Sequence, residues 1–111
     1  MDMLETLFNS YSRERVLLYL YTHQEGYAQE IRQKLSLPLR AVQLQLKRLE
    51  EGGVLICRKR DRTFVYQLNP NYPFYKEIAA ILEKALMLLP EKDRKNNFTP
   101  RLRPRRIGKP L

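Results

Sequence analysis

The segment SLPLRAVQLQLKRLEE, residues 36–51, separates apolar and polar side chains in a way that bears on binding. At about 100° per residue, Val42, Leu46 and Leu49 fall on one face of a helix. Longer side chains occupy the opposite arc and its flanks: Arg40, Gln43, Leu44, Lys47 and Arg48. The pattern predicts a helix that packs by its apolar face and presents groups able to bind base edges and phosphates.

The outward side chains have distinct expected roles on double-stranded DNA. Arg40 and Gln43 lie early in the helix, and Arg suits guanine edges whereas Gln suits adenine. Leu44 suits either a thymine methyl group or a protein partner. Lys47 and Arg48 are expected to hold phosphates. Because a polar face on an amphipathic helix is more often only a solvated surface, the interpretation depends on the segment that comes after the helix.

The helix is followed by two β-rich runs, VLICRKR and TFVYQL, which predict a hairpin. We expect its loop to be RKRDR, residues 58–62. Hairpin loops favour Gly or Asn, so a basic loop favours contact with phosphates or a minor groove. The expected contacts are Arg58, Lys59, Arg60 and Arg62. Helix and loop together predict nucleic-acid binding.

The elements that must position these groups can be read from periodicity and breaks. Two helices are expected before residue 26, the second with Ser12 as N-cap and Gly26 as C-cap. The stretch AQEIRQKL predicts a third helix, and Pro38 is expected to begin a fourth helix after a tight turn. After the hairpin, residues 74–89 carry one apolar stripe. The expected fold is mainly α with a small hairpin, in the order α-α-α-α-β-β-α.

Beyond Pro90 the composition changes. Residues 91–111 hold eight basic and two acidic residues, three prolines and few large apolar residues. We therefore expect a domain over residues 1–90 and a disordered basic tail over 91–111. An extended, arginine-rich tail suits a DNA minor groove beside the main site. The expected tail contacts are Arg101, Arg103, Arg105 and Arg106.

Whole-chain composition narrows the classes of function. The 111 residues carry a formal charge of +9, concentrated in residues 38–66 and 91–111, which indicates a polyanionic partner. One cysteine and one histidine argue against a disulfide framework and a structural zinc site. We expect a cytoplasmic protein with no metal, no cofactor, no catalytic residues and no membrane-spanning segment, because the sequence has no motif for any of these.

The stretches YAQEIRQKLSLPLRAVQLQLKRLEEGGVL and RKRDRTFVYQLNP resemble the helix-turn-helix and wing of ArsR-type winged helix-turn-helix regulators, over residues 4 to 89. The resemblance implies a dimeric DNA-binding repressor with residues 38–51 as the recognition helix. It also implies a dimer interface on the first and last helices. The expected interface residues are Leu4, Leu7, Ile78, Ile81, Leu82, Ala85 and Leu89. The paired ligands of metal-sensing members are missing, so no metal response is expected.

Two functions remain open at this stage. The first is a sequence-specific, homodimeric transcriptional regulator, expected to be a repressor. The second comes from LFNSYSRERVLLYL, which resembles winged-helix modules associated with minimal nucleotidyltransferases. In that alternative the chain is a protein-interaction module that partners a separately encoded nucleotidyltransferase or toxin and binds nucleic acid only nonspecifically.

Overall fold

The structure, a computed structural model, describes residues 3–99. The helices are α1 (Met3–Phe8), α2 (Tyr11–His23), α3 (Ala28–Leu35), α4 (Leu39–Glu51), α5 (Tyr75–Leu88) and α6 (Glu91–Asn97), and the strands are β1 (Leu55–Arg60) and β2 (Thr63–Leu68). These residues are mainly α-helical with one antiparallel hairpin, which confirms the predicted fold class.

The second helix, α2, lies at the centre of the core. Residues 16–20 are all buried, as expected of a helix that is apolar nearly all the way round. Its N-cap is Ser10 rather than Ser12: the Ser10 hydroxyl accepts a hydrogen bond from the backbone N–H of Arg13 at 3.0 Å. The helix therefore begins one residue before the predicted cap.

Gly26 does not cap α2 as predicted, because the helix already ends at His23. Gly26 instead exchanges two backbone hydrogen bonds with Tyr66 of β2, at 3.0 and 2.8 Å. A Cβ atom on Gly26 would lie 2.9 Å from a ring carbon of Tyr19. Glycine is therefore favoured here, because side chains of α2 and α3 leave little room for a Cβ atom.

The tight turn between α3 and α4 agrees with the prediction. Ser36 adopts a left-handed conformation with φ 56°, and the buried Leu37 donates its backbone N–H to the carbonyl of Arg32 at 3.1 Å. Pro38 then precedes the first residue of α4. This turn fixes α4 against α2 and α3 and leaves its other side exposed.

The hairpin loop is shorter than predicted. The ladder runs from Leu55 opposite Leu68 to Arg60 opposite Thr63, which leaves only Asp61 and Arg62 in the loop. Asp61 has φ 59°, a conformation that Asp tolerates better than most residues. The first three residues of the predicted loop, 58–60, are in β1, because backbone pairing outweighs the polarity of their side chains.

The structure continues past the predicted boundary at residue 90, because residues 91–97 form α6 and Phe98 follows it. Phe98 is fully buried in the main core, and its ring lies 4.7 Å from the guanidinium carbon of Arg15. Arg15 also donates two hydrogen bonds of 2.8 Å to the Asp93 carboxylate. One aromatic anchor and one ion pair thus dock a segment that is otherwise polar. The four tail arginines predicted to contact DNA lie outside the described residues.

Candidate nucleic-acid interface

The outward face of α4 carries the residues predicted to meet DNA. Val42, Leu46 and Leu49 on its inner face are 0%, 1% and 8% exposed, so the helix is held firmly in the core. The side chains of the outer face and its flanks are all exposed: Arg40, Gln43, Leu44, Lys47 and Arg48. The structure therefore brings the predicted base-contact and phosphate-contact residues of this helix onto one accessible surface.

A buried polar contact fixes the rotation of α4, and no local sequence pattern indicated it. Gln45 lies between the exposed Leu44 and the buried Leu46 and is only 6% exposed. Its side-chain carbonyl accepts a hydrogen bond of 2.8 Å from Nε of Arg13 in α2. Because a buried amide without this partner would be costly, the contact favours one rotation of α4 about its axis.

The hairpin places its basic side chains on two faces, because neighbouring strand residues alternate. On one face, Arg58 and Arg60 both bind the carboxylate of Glu25, which lies just after α2. On the other face, Lys59 lies across the ladder from Phe64, with its amine 5.9 Å from the ring centroid. Arg62 is exposed in the loop. The four hairpin residues predicted to bind phosphate are therefore all exposed, but two of them have an acidic partner.

The Glu25 contact is geometrically tight for a surface ion pair. Arg60 donates to both carboxylate oxygens, at 2.9 and 3.4 Å, and Arg58 donates to one at 3.1 Å. The hydrogen bond to Glu25 raises the pKa of the Arg60 guanidinium above its ordinary value. Both arginine side chains are nevertheless 54% exposed, which leaves them accessible to a partner from solution.

A groove of about 390 Å³ separates the hairpin from α4. Gln43 lines it from α4, Tyr27 from the start of α3, and Arg62 and Phe64 from the hairpin. Tyr27, Leu44 and Phe64 are all more than 40% exposed, so the candidate DNA face also contains apolar surface. Helix and hairpin form two walls of one surface that combines donors, cations and apolar groups.

Two tyrosines, Tyr21 and Tyr66, have phenol pKa values above the ordinary value. Burial, together with a smaller effect of Cys57 across the ladder, raises the pKa of Tyr66 to about 12. A hydrogen bond to Glu83 raises the pKa of Tyr21 to about 12. Both side chains pack against the core, and the hydrogen bond from Tyr21 to Glu83 joins α2 to α5.

The residues predicted to form a dimer interface divide into two groups. Leu4, Leu82 and Ala85 are 8% exposed or less and belong to the core of the protomer itself. They are not available as a surface, because α2 packs against α5 within the protomer, and this corrects the expectation that they form a dimer interface. Leu7 is 63% exposed, and the remaining three are partly buried: Ile78, Ile81 and Leu89. The largest exposed apolar residues of α5 are Met87 and Leu88, neither of which was predicted.

Among residues 3–99 there is no group of three or more side chains able to hold a metal ion. Within the same residues, no helix is long and apolar enough to cross a membrane.

No protein-family model matches the chain, and no curated protein matches it. Its structure is similar to that of YusO from Bacillus subtilis, with 22% identity, a TM-score of 0.58 and coverage of 83% of this chain and 73% of that one. It is similar to reduced AbfR bound to DNA, with 25% identity, a TM-score of 0.58 and coverage of 83% and 67%. It is also similar to MepR, a transcription regulator of the Staphylococcus aureus multidrug efflux pump MepA, with 19% identity, a TM-score of 0.58 and coverage of 83% and 74%. These likenesses confirm the winged helix-turn-helix fold, in which the two-stranded hairpin is the wing.

Proposed function

We propose that this chain is a sequence-specific, homodimeric DNA-binding regulator of transcription, without enzymatic activity, that acts as a repressor. The observation that carries the proposal is the outward face of α4, where exposed donors and cations stand on a helix anchored by its opposite face. Such a helix has the width and chemistry to enter a major groove. The likeness to AbfR, whose structure was solved bound to DNA, and to the transcription regulator MepR supports this role.

In the proposed complex, Arg40 and Gln43 read base edges, because both lie in the first turns of α4 and both can make paired hydrogen bonds. Leu44, which is 43% exposed, lies beside them and contacts a thymine methyl group. Lys47 and Arg48, further along the helix, hold phosphates. Specificity therefore comes from the start of α4.

The wing contacts the DNA backbone or the adjacent minor groove through its basic side chains. Arg62 is at the loop, and Lys59 is on the strand face opposite to Glu25. These two residues meet phosphates directly. Arg101, Arg103, Arg105 and Arg106 extend the contact along a minor groove.

The proposed dimer uses the exposed apolar side chains of the first helix and of α5. Leu7, Met87 and Leu88 are each more than half exposed, and a second copy of the chain would remove this apolar surface from water. Replacing Met87 and Leu88 together with Glu should give monomers, whereas Lys84→Glu, at an exposed position of the same helix, should leave the dimer intact. Sedimentation at micromolar concentration distinguishes the species, and an unmodified protein that is already monomeric would overturn the dimer.

The experiment that tests the regulator is selection of bound sites from random duplex DNA. A two-fold symmetric protein should enrich a palindrome whose half-sites are about one helical turn apart. The exposed apolar residues Tyr27, Leu44 and Phe64 are the observation that favours the alternative, a protein-interaction module. Recovery of no motif, together with a stable complex between this surface and another protein, would replace the regulator with that module.

A further inference from the structure

Glu25, in the segment that follows α2, binds two arginines of the wing. Its two carboxylate oxygens receive three hydrogen bonds from Arg58 and Arg60, which are two residues apart and therefore share one face of β1. Half of the four basic side chains of the wing are engaged by this one residue. Glu25 thus gives the wing a negatively charged partner when no DNA is bound.

The fold of the wing does not depend on this contact. The hairpin has a six-pair ladder, and Gly26 joins it to the body by two backbone hydrogen bonds to Tyr66. Arg58 and Arg60 are both more than half exposed, and ion pairs at such positions contribute little to stability. A contribution to stability alone therefore does not account for the binding of two arginines by the Glu25 carboxylate.

A carboxylate and a phosphate offer arginine the same arrangement of paired acceptor oxygens. Resting on the proposed function, we propose that Glu25 is an internal competitor for the DNA backbone. In the free protein Glu25 holds Arg58 and Arg60, and on DNA the phosphates take both guanidinium groups from it. The exchange weakens binding to every duplex by a similar factor, so that the contacts of α4 to bases make a larger share of the total affinity.

The test measures binding to a fluorescently labelled duplex of mixed sequence over a series of salt concentrations. Glu25→Gln should bind roughly 2- to 10-fold more tightly than the unmodified protein, on the scale of two exposed ion pairs. Glu77→Gln makes the same change of charge at an exposed position of α5 and should change affinity by less than about twofold. Replacing Arg58 and Arg60 together with Ala should lower the slope of log affinity against log salt by roughly 2.

The decisive comparison is a double-mutant cycle. In the protein that lacks Arg58 and Arg60, the Glu25→Gln change should no longer tighten binding, because no arginine remains to be released. A gain that persists there would be a general effect of charge and would overturn the proposal. A slope that is unchanged by removal of both arginines would also overturn it, because Glu25 would then keep its partners on DNA.

These failures differ from failure of the proposed function. If the protein binds the duplex with a salt-dependent affinity but Glu25→Gln has no effect, the regulator stands and the competitor does not. If the unmodified protein does not bind duplex DNA at all, the regulator itself is overturned. Thermal unfolding of each variant checks that the Gly26–Tyr66 bridge still holds the wing.

Discussion

Two segments of this chain are rich in charged residues, and the fold uses them in opposite ways. In residues 39–62 the basic side chains stand outside a packed helix and a paired hairpin. In residues 91–98 the residues that matter for the structure are an acid and an aromatic, Asp93 and Phe98, which dock on Arg15. The difference shows that a basic composition does not by itself distinguish a binding surface from a docked terminal helix.

A pair of truncations should give the largest effect. Ending the chain after Pro90 removes α6 and leaves the site of Phe98 empty, so the free energy of unfolding should fall by about 3–5 kcal/mol or more, the usual cost of losing a buried Phe. Ending it after Thr99 should leave the unfolding free energy unchanged. Denaturant unfolding measures the free energy of unfolding of both variants, with Phe98→Ala as the point-mutation control.

The same pair separates stability from DNA binding. Residues 100–111 contain five basic and no acidic residues, whereas residues 91–99 contain three basic and two acidic. Truncation after Thr99 should therefore lower the salt slope of DNA affinity by roughly 0.9 for each phosphate that the tail no longer neutralises. A normal slope in this variant would show that the tail arginines do not touch DNA, and a lower stability would show that the folded unit extends beyond Thr99.

The contrast also explains which parts of the structure the sequence could predict. The helix α4 was predictable because its apolar period, Pro38 and the Gly52–Gly53 pair are all local signals. The α6 helix was not, because EKDRKNN has no apolar stripe and its position depends on Arg15, 78 residues before Asp93. Composition shows that a segment has too few apolar residues to form a core of its own. It does not show that one residue, such as Phe98, anchors that segment to the core of the rest of the chain.

The candidate site shows the same division. The exposed residues of α4 were predictable from its period, whereas the Arg13–Gln45 and Arg60–Glu25 contacts join residues 32 and 35 positions apart. No local pattern indicates such contacts. The predicted wing loop began too early for a related reason. Arg and Lys have no strong preference between strand and loop, so residues 58–60 belong to the strand only because they pair with β2.

The second prediction concerns base readout. It tests whether the exposed residues of α4 affect DNA binding without affecting the stability of the fold. Replacing Arg40 or Gln43 with Ala should each lose about 1–3 kcal/mol of discrimination between the selected site and a mismatched one. Unfolding free energy should change little, because both side chains are exposed. Competition binding with matched and mismatched duplexes measures the loss.

Lys47→Ala is the matched control for base readout, because it lies on the same face as a predicted phosphate contact. It should weaken binding to matched and mismatched duplexes equally. If Arg40→Ala or Gln43→Ala behaved in this way, that residue would contact a phosphate instead of a base.

The smallest expected effect concerns the acid that docks α6. The hydrogen bonds from Arg15, together with one from Asn97, hold the pKa of Asp93 below its ordinary value although partial burial opposes this. A carboxyl whose pKa is lower in the folded state stabilises the fold above its unfolded pKa, and this contribution is lost as the pH falls through the folded pKa. Asp93→Asn should therefore cost about 1–2 kcal/mol of unfolding free energy at neutral pH, and less in acid, once the unmodified protein also loses the charge.

The measurement is denaturant unfolding of Asp93→Asn and of the unmodified protein, from neutral pH down to below the ordinary pKa of Asp. The difference between the two proteins isolates the contribution of this carboxyl from that of all others. Glu91→Gln on the same helix is the control, because Glu91 and its partner Lys95 are 66% and 70% exposed and their pair should contribute little at any pH. A constant difference between Asp93→Asn and the unmodified protein across the pH range would mean that the shape of the side chain matters rather than its charge. In that case Phe98 alone would hold α6, and the contrast between the two charged segments would rest on an aromatic anchor instead of an ion pair.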